Sequence, residues 1–517
     1  MSEQRGNPKD SGQPAARKNR RRSRWFLTGG LVAGSLVAGA AGLTGVLALG
    51  GPEGTKNLGL PNLPDVFNSA RPAGDEEGGQ GQKNKHADNQ GDERRGGEGS
   101  HENGEDSRKG GNGSSGGEWK GKGKGPSQGG QGHDSNRGDE EDKYAKPVRC
   151  HTDDLIAAIV RANAGDGATL KLAEKCTYTL TAYQNGGGLP TIVQPITIKG
   201  NESKIVRAAN AAAFRIFTVG SGGQLTLVKT TVEGGSDTTA DGGGGMLVQT
   251  GGSAKLIDST FKRNTTVTSG GAIANQGTTT LVKTAIANNS ASVSGGGVFN
   301  GRGGLYVEDS WLTSNSTGGN GGGLANNGGV ATVSKTEIIH NNASTGFGGG
   351  LFSGNGATST VKHSNLGNNT GLTGGGLANL GSTTTLQDSK VTRNTGTAAG
   401  GGVTNNGTFV AVKSEINGNT TRGDGAGINS SGGSVILRDS QIEYNSANGT
   451  ASRAGGIFNS NSALSLTQTK VIENNANNQP GGIWTNVAPT VDQKSVIIKN
   501  RPTNCVGSPV AVPNCFG

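Results

Sequence analysis

From about residue 222 onward, apolar residues recur at a fixed interval in a background of Gly, Asn, Ser and Thr. An apolar residue follows a run of small residues at Met246, Ile273, Val298, Leu324, Leu351, Leu377, Val403, Ile428, Ile457 and Ile483, spaced 25 to 29 apart. A second block travels with it: Ser or Thr, an apolar residue two later, and Asn three after that, as in Ser259–Phe261–Asn264 and Thr284–Ile286–Asn289. The Asn recurs at Asn264, Asn289, Asn315, Asn341, Asn369, Asn394, Asn419, Asn445, Asn474 and Asn500. Self-similarity at a period of this length marks a repeat architecture.

Between these anchors the chain alternates over short runs, as it already does in Thr169–Leu172, Thr177–Leu180 and Pro195–Ile198. Strict alternation predicts half-buried strands, whereas helical repeats would show a 3.6-residue period and far fewer Gly, Asn and Thr. The pattern predicts an all-β solenoid of about a dozen coils, three short strands to a coil, each strand pairing with its equivalent about 4.8 Å away. Each apolar position then becomes a continuous aliphatic stack. The stacked Asn amides are expected to hydrogen-bond along their row and to take left-handed backbone geometry at a turn. Gly at the opposite corner is expected to supply positive φ.

Solenoid ends expose core and strand edges and need covers. Residues 153–162 have helical spacing, a Thr/Asp start and Gly165 beyond the end, which predicts a capping helix. Residues 148–221 are read as this cap and the first coils, 222–500 as the repeats and 501–517 as a C-terminal cap. The four cysteines fall as two local pairs, Cys150 with Cys176 and Cys505 with Cys515, one at each end. In an exported chain these read as two disulfides, although four cysteines allow three connectivities. The residue before each Ser/Thr alternates in charge, as in Asp258, Lys283, Asp309 and Lys335, and predicts a ladder of ion pairs between coils.

The first 147 residues have another texture. Residues 1–24 carry eight Lys/Arg and two acids, and an uncharged stretch follows. This reads as a basic cytoplasmic flank before an export signal or transmembrane anchor at 25–51, with Ala38-Gly39-Ala40 as a small-residue cleavage site. Residues 52–147 alternate Gly with charged and polar residues and are expected to be a disordered linker. Most of the formal charge of +9 lies in the basic start, so it is not a nucleic-acid footprint. Composition adds an exclusion: only 30% of the chain is apolar and 4% aromatic, which rules out a large conventional enzyme core. Its 96 Gly are not spaced every third residue, so collagen is excluded too.

The repeats, as in Gly322-Gly323-Leu324-Ala325-Asn326 and Gly375-Gly376-Leu377-Ala378-Asn379, resemble those of right-handed parallel β-helix proteins of the pectin-lyase-like superfamily. Gly270-Gly271-Ala272-Ile273 and Phe261-Lys262-Arg263-Asn264 are also similar to repeats of chlamydial polymorphic membrane proteins. The resemblance implies a right-handed parallel β-helix and little about chemistry, because this fold hosts lyases, hydrolases, adhesins and stalks.

A catalytic site would appear as carboxylates that break the repeat. Glu308-Asp309, Asp424 and Asp241 are the candidates, and His151, His340 and His363 lack paired acids. Arg422-Gly423-Asp424 and Arg137-Gly138-Asp139 are RGD tripeptides in a Gly-rich chain. No metal or other cofactor is expected. The residue after the inward apolar position of the first strand should face outward, and there the chain places Phe299, Phe352, Phe458 and Trp484. Exposed aromatics on a flat sheet are a platform for sugar rings. The expectation is an exported bacterial surface or secreted protein, monomeric, serving adhesion, polysaccharide binding or wall-associated structure. Its partner would be a polysaccharide or cell-wall polymer, with the membrane as a further partner if 25–51 is retained. The alternative is a polysaccharide lyase or glycoside hydrolase.

Overall fold

A computed structural model describes residues 144–183 and 187–517. The basic start, the segment 25–51 and the linker up to residue 143 lie outside the described residues, with the expectations attached to them. Among the described residues the chain is a parallel β-solenoid of about 13 turns with a single helix, Thr152–Ala164. The strand Lys146–Val148 pairs with Ala168–Leu172.

One coil shows the plan. Its strands are Ile273–Asn275, Thr278–Val282, Ala285–Ala287 and Ser290–Ala291. The next coil pairs with it in parallel at Ile273–Val298, Leu281–Val307, Ile286–Leu312 and Ala291–Thr317. The coil thus has four strands where three were expected. The fourth is two residues long, and the ten of its kind form a sheet of their own. Its inward residue is small, as at Ala291, Thr317 and Ala343, so no apolar alternation announces it.

Rung-over-rung pairing makes the core. The ten first-strand anchors from Met246 to Ile483 are fully buried, as are the third-strand residues Phe261, Ile286, Leu312, Ile338 and Leu366. Each contributes about 1.5–3 kcal/mol by leaving water. The core is one residue thick along each column, which is how few large side chains suffice.

The corners depend on backbone geometry. The Asn column forms as expected, but the left-handed residue is the one before each Asn: Asn288, His340, Asn368 and Tyr444 have φ of 55°, 57°, 53° and 55°. The Asn itself points inward and is buried. Asn315 donates from Nδ2 to Asn341 Oδ1 at 3.0 Å and to the Ile286 carbonyl at 2.9 Å, while its backbone N–H donates to the same Asn341 Oδ1 at 2.9 Å. This pattern repeats through Asn500, whose amide donates in turn to Asn504 Oδ1 at 3.0 Å. A second amide ladder stacks at the end of the first strand, Asn275 to Asn300 at 2.7 Å and Asn300 to Asn326 at 2.8 Å.

Both ends are covered. The helix buries Leu155, Ala158, Ile159 and Ala162 against the first coils. Asn163 pins it there through the Thr191 carbonyl at 2.7 Å and the Val193 N–H at 3.1 Å. Cys150 is bonded to Cys176, and Cys505 to Cys515. The tail turns back over the last coil, with Val512 in the core and Ile497 bridged to Cys515. Closing loops of these sizes contributes about 2–4 kcal/mol each.

Candidate functional site

The expected platform of four aromatics divides into two unlike halves. Its positions do stack in one row: Phe299 pairs with Ala325, Ala325 with Phe352, and Phe352 with Ala378. Phe352, however, is only 6% exposed and packs in an external cluster with Ala325 and Ala378, against which Phe299, Phe347 and Leu380 also lie. The reason is local. Gly354 and Gly301 sit two residues further along the same strand faces, and a Cβ there would stand 2.5 Å from Phe352 Cζ and 2.7 Å from Phe299 Cε1. The outer edge of each ring occupies the space that a side chain at its glycine would fill, and alanines stand at the same position in the adjoining coils. Phe352 is therefore a buried packing residue and not part of an open platform, while Phe299 keeps an intermediate exposure like that of Phe458 and Trp484.

Phe458 and Trp484 have no alanine between them. They occupy adjacent rungs and stack on one another, ring centroids 4.3 Å apart and planes 7° from parallel. Arg453 brings its guanidinium within 5.0 Å and 4.7 Å of the two rings. Asp424, one coil back, holds that arginine: its carboxylate accepts from the Arg453 backbone N–H at 2.7 Å and from Nη2 at 3.0 Å. The result is a half-buried aromatic pair, edged by a cation whose charge a carboxylate neutralises. Asp424 is thereby occupied, so Arg422-Gly423-Asp424 is not a freely presented tripeptide.

The candidate carboxylates do not converge. Asp424 is taken by Arg453, and Glu308 pairs with Lys335 at 3.4 Å. Asp241 is exposed at the corner leading to Met246, seven rungs from the coil of Asp424, or on the order of 30 Å at 4.8 Å per rung. Further along, burial pushes the Glu443 carboxyl above its ordinary range; Lys470 opposes this, while Glu415 and Glu473 add to it. Tyr444 is pushed up by its hydrogen bond to Glu473 and then by that group's charge. Glu473 itself is engaged by Lys499 at 3.4 Å. Among the described residues no cluster of His, Cys, Asp and Glu could hold a metal ion. No described helix is long and apolar enough to cross a membrane.

The charge row stacks in order but does not pair. Among the described residues no ion pair joins Asp258, Lys283, Asp309 and Lys335 to one another; Lys335 reaches Glu308 instead. A double-mutant cycle on Asp309 and Lys335, followed by denaturant unfolding, is therefore expected to show no coupling. The cycle on Glu308 and Lys335 should give a few tenths of a kcal/mol, as exposed pairs do.

No protein-family model and no curated protein matches the chain. Among solved structures it is similar to the A-module of mannuronan C-5 epimerase AlgE6 from Azotobacter vinelandii, at 12% identity and a TM-score of 0.33, over 70% of this chain and 95% of that one. It is also similar to tailspike protein 3 of bacteriophage CBA120, at 12% identity and a TM-score of 0.34. That match covers 72% of this chain and spans 63% of the tailspike's length.

Proposed function

We propose that this chain is an exported β-solenoid that binds a polysaccharide at the Phe458–Trp484 face, serving attachment at a cell surface or wall. The observation that carries the reading is the stacked aromatic pair with the Arg453 guanidinium against it and Asp424 holding that arginine. Sugar rings present C–H faces to aromatic rings and hydroxyls to nearby charged groups, and this arrangement offers both. Two disulfides in a chain of this kind support an oxidising, extracytoplasmic setting, reached through residues 25–51 as cleaved signal or retained anchor. The repeat motifs support a place among pectin-lyase-like β-helices.

The test is a polysaccharide array probed with the full chain, followed by titration of the best binder against Trp484→Ala and Phe458→Ala. Each variant is expected to weaken binding by up to about tenfold, the scale of one aromatic contact. Unchanged affinity in both variants would remove the face from the reading.

A further inference from the structure

Trp311 opens the third strand of its coil and is 48% exposed. In the sheet its neighbours are Ala285 on one side and Glu337 on the other, so one flank of the indole faces nothing larger than a methyl group. Beside it runs the bend between second and third strands. There Asp258, Lys283, Asp309 and Lys335, in four successive coils, hold left-handed φ of 47°, 48°, 46° and 47°. The four side chains and Trp311 line a groove of about 400 Å³. At Asp258 it runs on into a stretch of about 370 Å³ toward Lys229. Past Lys335, Glu337 opens a third stretch of about 570 Å³. Shallow, open grooves thus follow the bend along successive coils.

Three of the four charges in this groove are uncommitted, Lys335 alone being drawn to Glu308. The side chains of Asp258, Lys283 and Asp309 make no hydrogen bond or ion pair among the described residues. The row thus contributes little to stability through pairing, yet it lines up beside the most exposed tryptophan of the solenoid.

We propose that this groove is a second binding site, for a polysaccharide without net charge, with one sugar ring stacked on Trp311 and flanking hydroxyls bonded to the alternating carboxylates and ammonium groups. Three arguments converge. The signs alternate and cancel, so a polyanion would meet a carboxylate at every second coil and a polycation an ammonium group, each repelled there. A hydroxyl both donates and accepts, and so satisfies either kind of partner. Coils repeat at about 4.8 Å, comparable with one pyranose unit of an extended chain, so successive sugars can meet successive coils. The inference does not rest on the Phe458–Trp484 face, which lies on the first strands.

Affinity electrophoresis of the full chain tests it, in gels containing soluble β-glucan, galactomannan, polygalacturonate or glycol chitosan. At least one neutral polymer is expected to retard the protein, with little dependence on salt. Trp311→Ala should raise the dissociation constant about tenfold, and Trp311→Phe should largely restore it. Asp258→Lys combined with Asp309→Lys makes the row uniformly basic and should transfer preference to polygalacturonate. Several outcomes would overturn the proposal: no retardation by a neutral polymer, preference of the unmodified chain for either charged polymer, equal mobility of Trp311→Ala and parent, or no gain of polyuronate binding by the basic variant.

Discussion

Replacing Asn341 by Ala is expected to destabilise the solenoid by about 3–5 kcal/mol, because it breaks four buried hydrogen bonds at once. Asn341 Oδ1 accepts from the Asn315 backbone N–H at 2.9 Å and from Asn315 Nδ2 at 3.0 Å. Its own Nδ2 donates to the Leu312 carbonyl at 2.8 Å and to Asn369 Oδ1 at 3.1 Å. Alanine leaves the Asn315 backbone N–H without its side-chain acceptor in a site closed to water, takes one donor from the Leu312 carbonyl, and removes one of two bonds at each of Asn315 Nδ2 and Asn369 Oδ1, which keep the Ile286 carbonyl and the residue-341 backbone N–H. Each such group costs about 1–3 kcal/mol, and partial relaxation keeps the total below the sum. Asn341→Asp is the sharper variant. It preserves shape and acceptors, loses the two donated bonds, and buries a charge with no cation beside it. Such a carboxyl has its folded pKa raised above the unfolded value, so the variant's deficit should be largest at neutral pH and shrink as pH falls through the folded pKa. Urea unfolding of the full chain, followed by circular dichroism, measures both. A loss within about 0.5 kcal/mol, the range of ordinary surface changes, would show that the ladder is decorative.

The second large effect is expected at the glycine corner. Gly348 has φ of 68°, and the run Gly348–Gly350 is hydrogen-bonded rung by rung to the next coil, Gly348 N–H to the Thr373 carbonyl at 3.0 Å and Gly349 N–H to the Gly374 carbonyl at 3.2 Å. A Cβ on Gly349 would fall on the Thr370 carbonyl and within 2.5 Å of the Gly375 carbonyl oxygen. Both obstacles are backbone held by neighbouring coils, so neither can swing aside. Gly349→Ala should therefore cost about 3 kcal/mol or more and render the adjoining coils sensitive to protease. Gly356 supplies the comparison. Its φ is 74°, but an added Cβ meets nothing within 4 Å, so Gly356→Ala should lose only the left-handed penalty of about 1–2 kcal/mol. A loss at Gly349 no larger than that at Gly356 would mean that the neighbouring coils give way and that their closeness does not set the glycine requirement.

Both predictions draw on columns that the repeat already displays. Ile273, Val298 and Leu324 recur at one phase of the repeat, and Asn289, Asn315 and Asn341 at another, before any coordinate is known. Parallel in-register pairing then leaves little freedom, because equal positions must stack. The ladder's last member was harder to see. Asn504 receives Asn500 but follows it by four residues, outside the repeat, on the tail that Cys505 ties down. The ladder of Asn275, Asn300 and Asn326 was visible as the motif Asn after Gly-Gly-apolar-x, yet its inward direction depended on the turn that follows.

The candidate sites were less legible. Phe352 and Trp311 are both aromatic residues at outward positions of strands, and alternation treats them alike. One lies under 6% exposure and the other at 48%. The difference comes from Gly354 leaving space for one ring, from Phe347 approaching it across a corner, and from the open groove beside the other. Arg453 and Asp424 likewise meet across coils, 29 residues apart in sequence.

What the sequence determined by itself is the repeating inward frame: the β-solenoid, its apolar and Asn columns and their pairing phase, because burial of one apolar residue and one amide per turn admits a single register. What only the tertiary structure decided is the outward surface. There, exposure, charge pairing and the hollow of a groove depend on what the adjoining coil places within a few ångströms, and a local reading of one strand does not contain that neighbour.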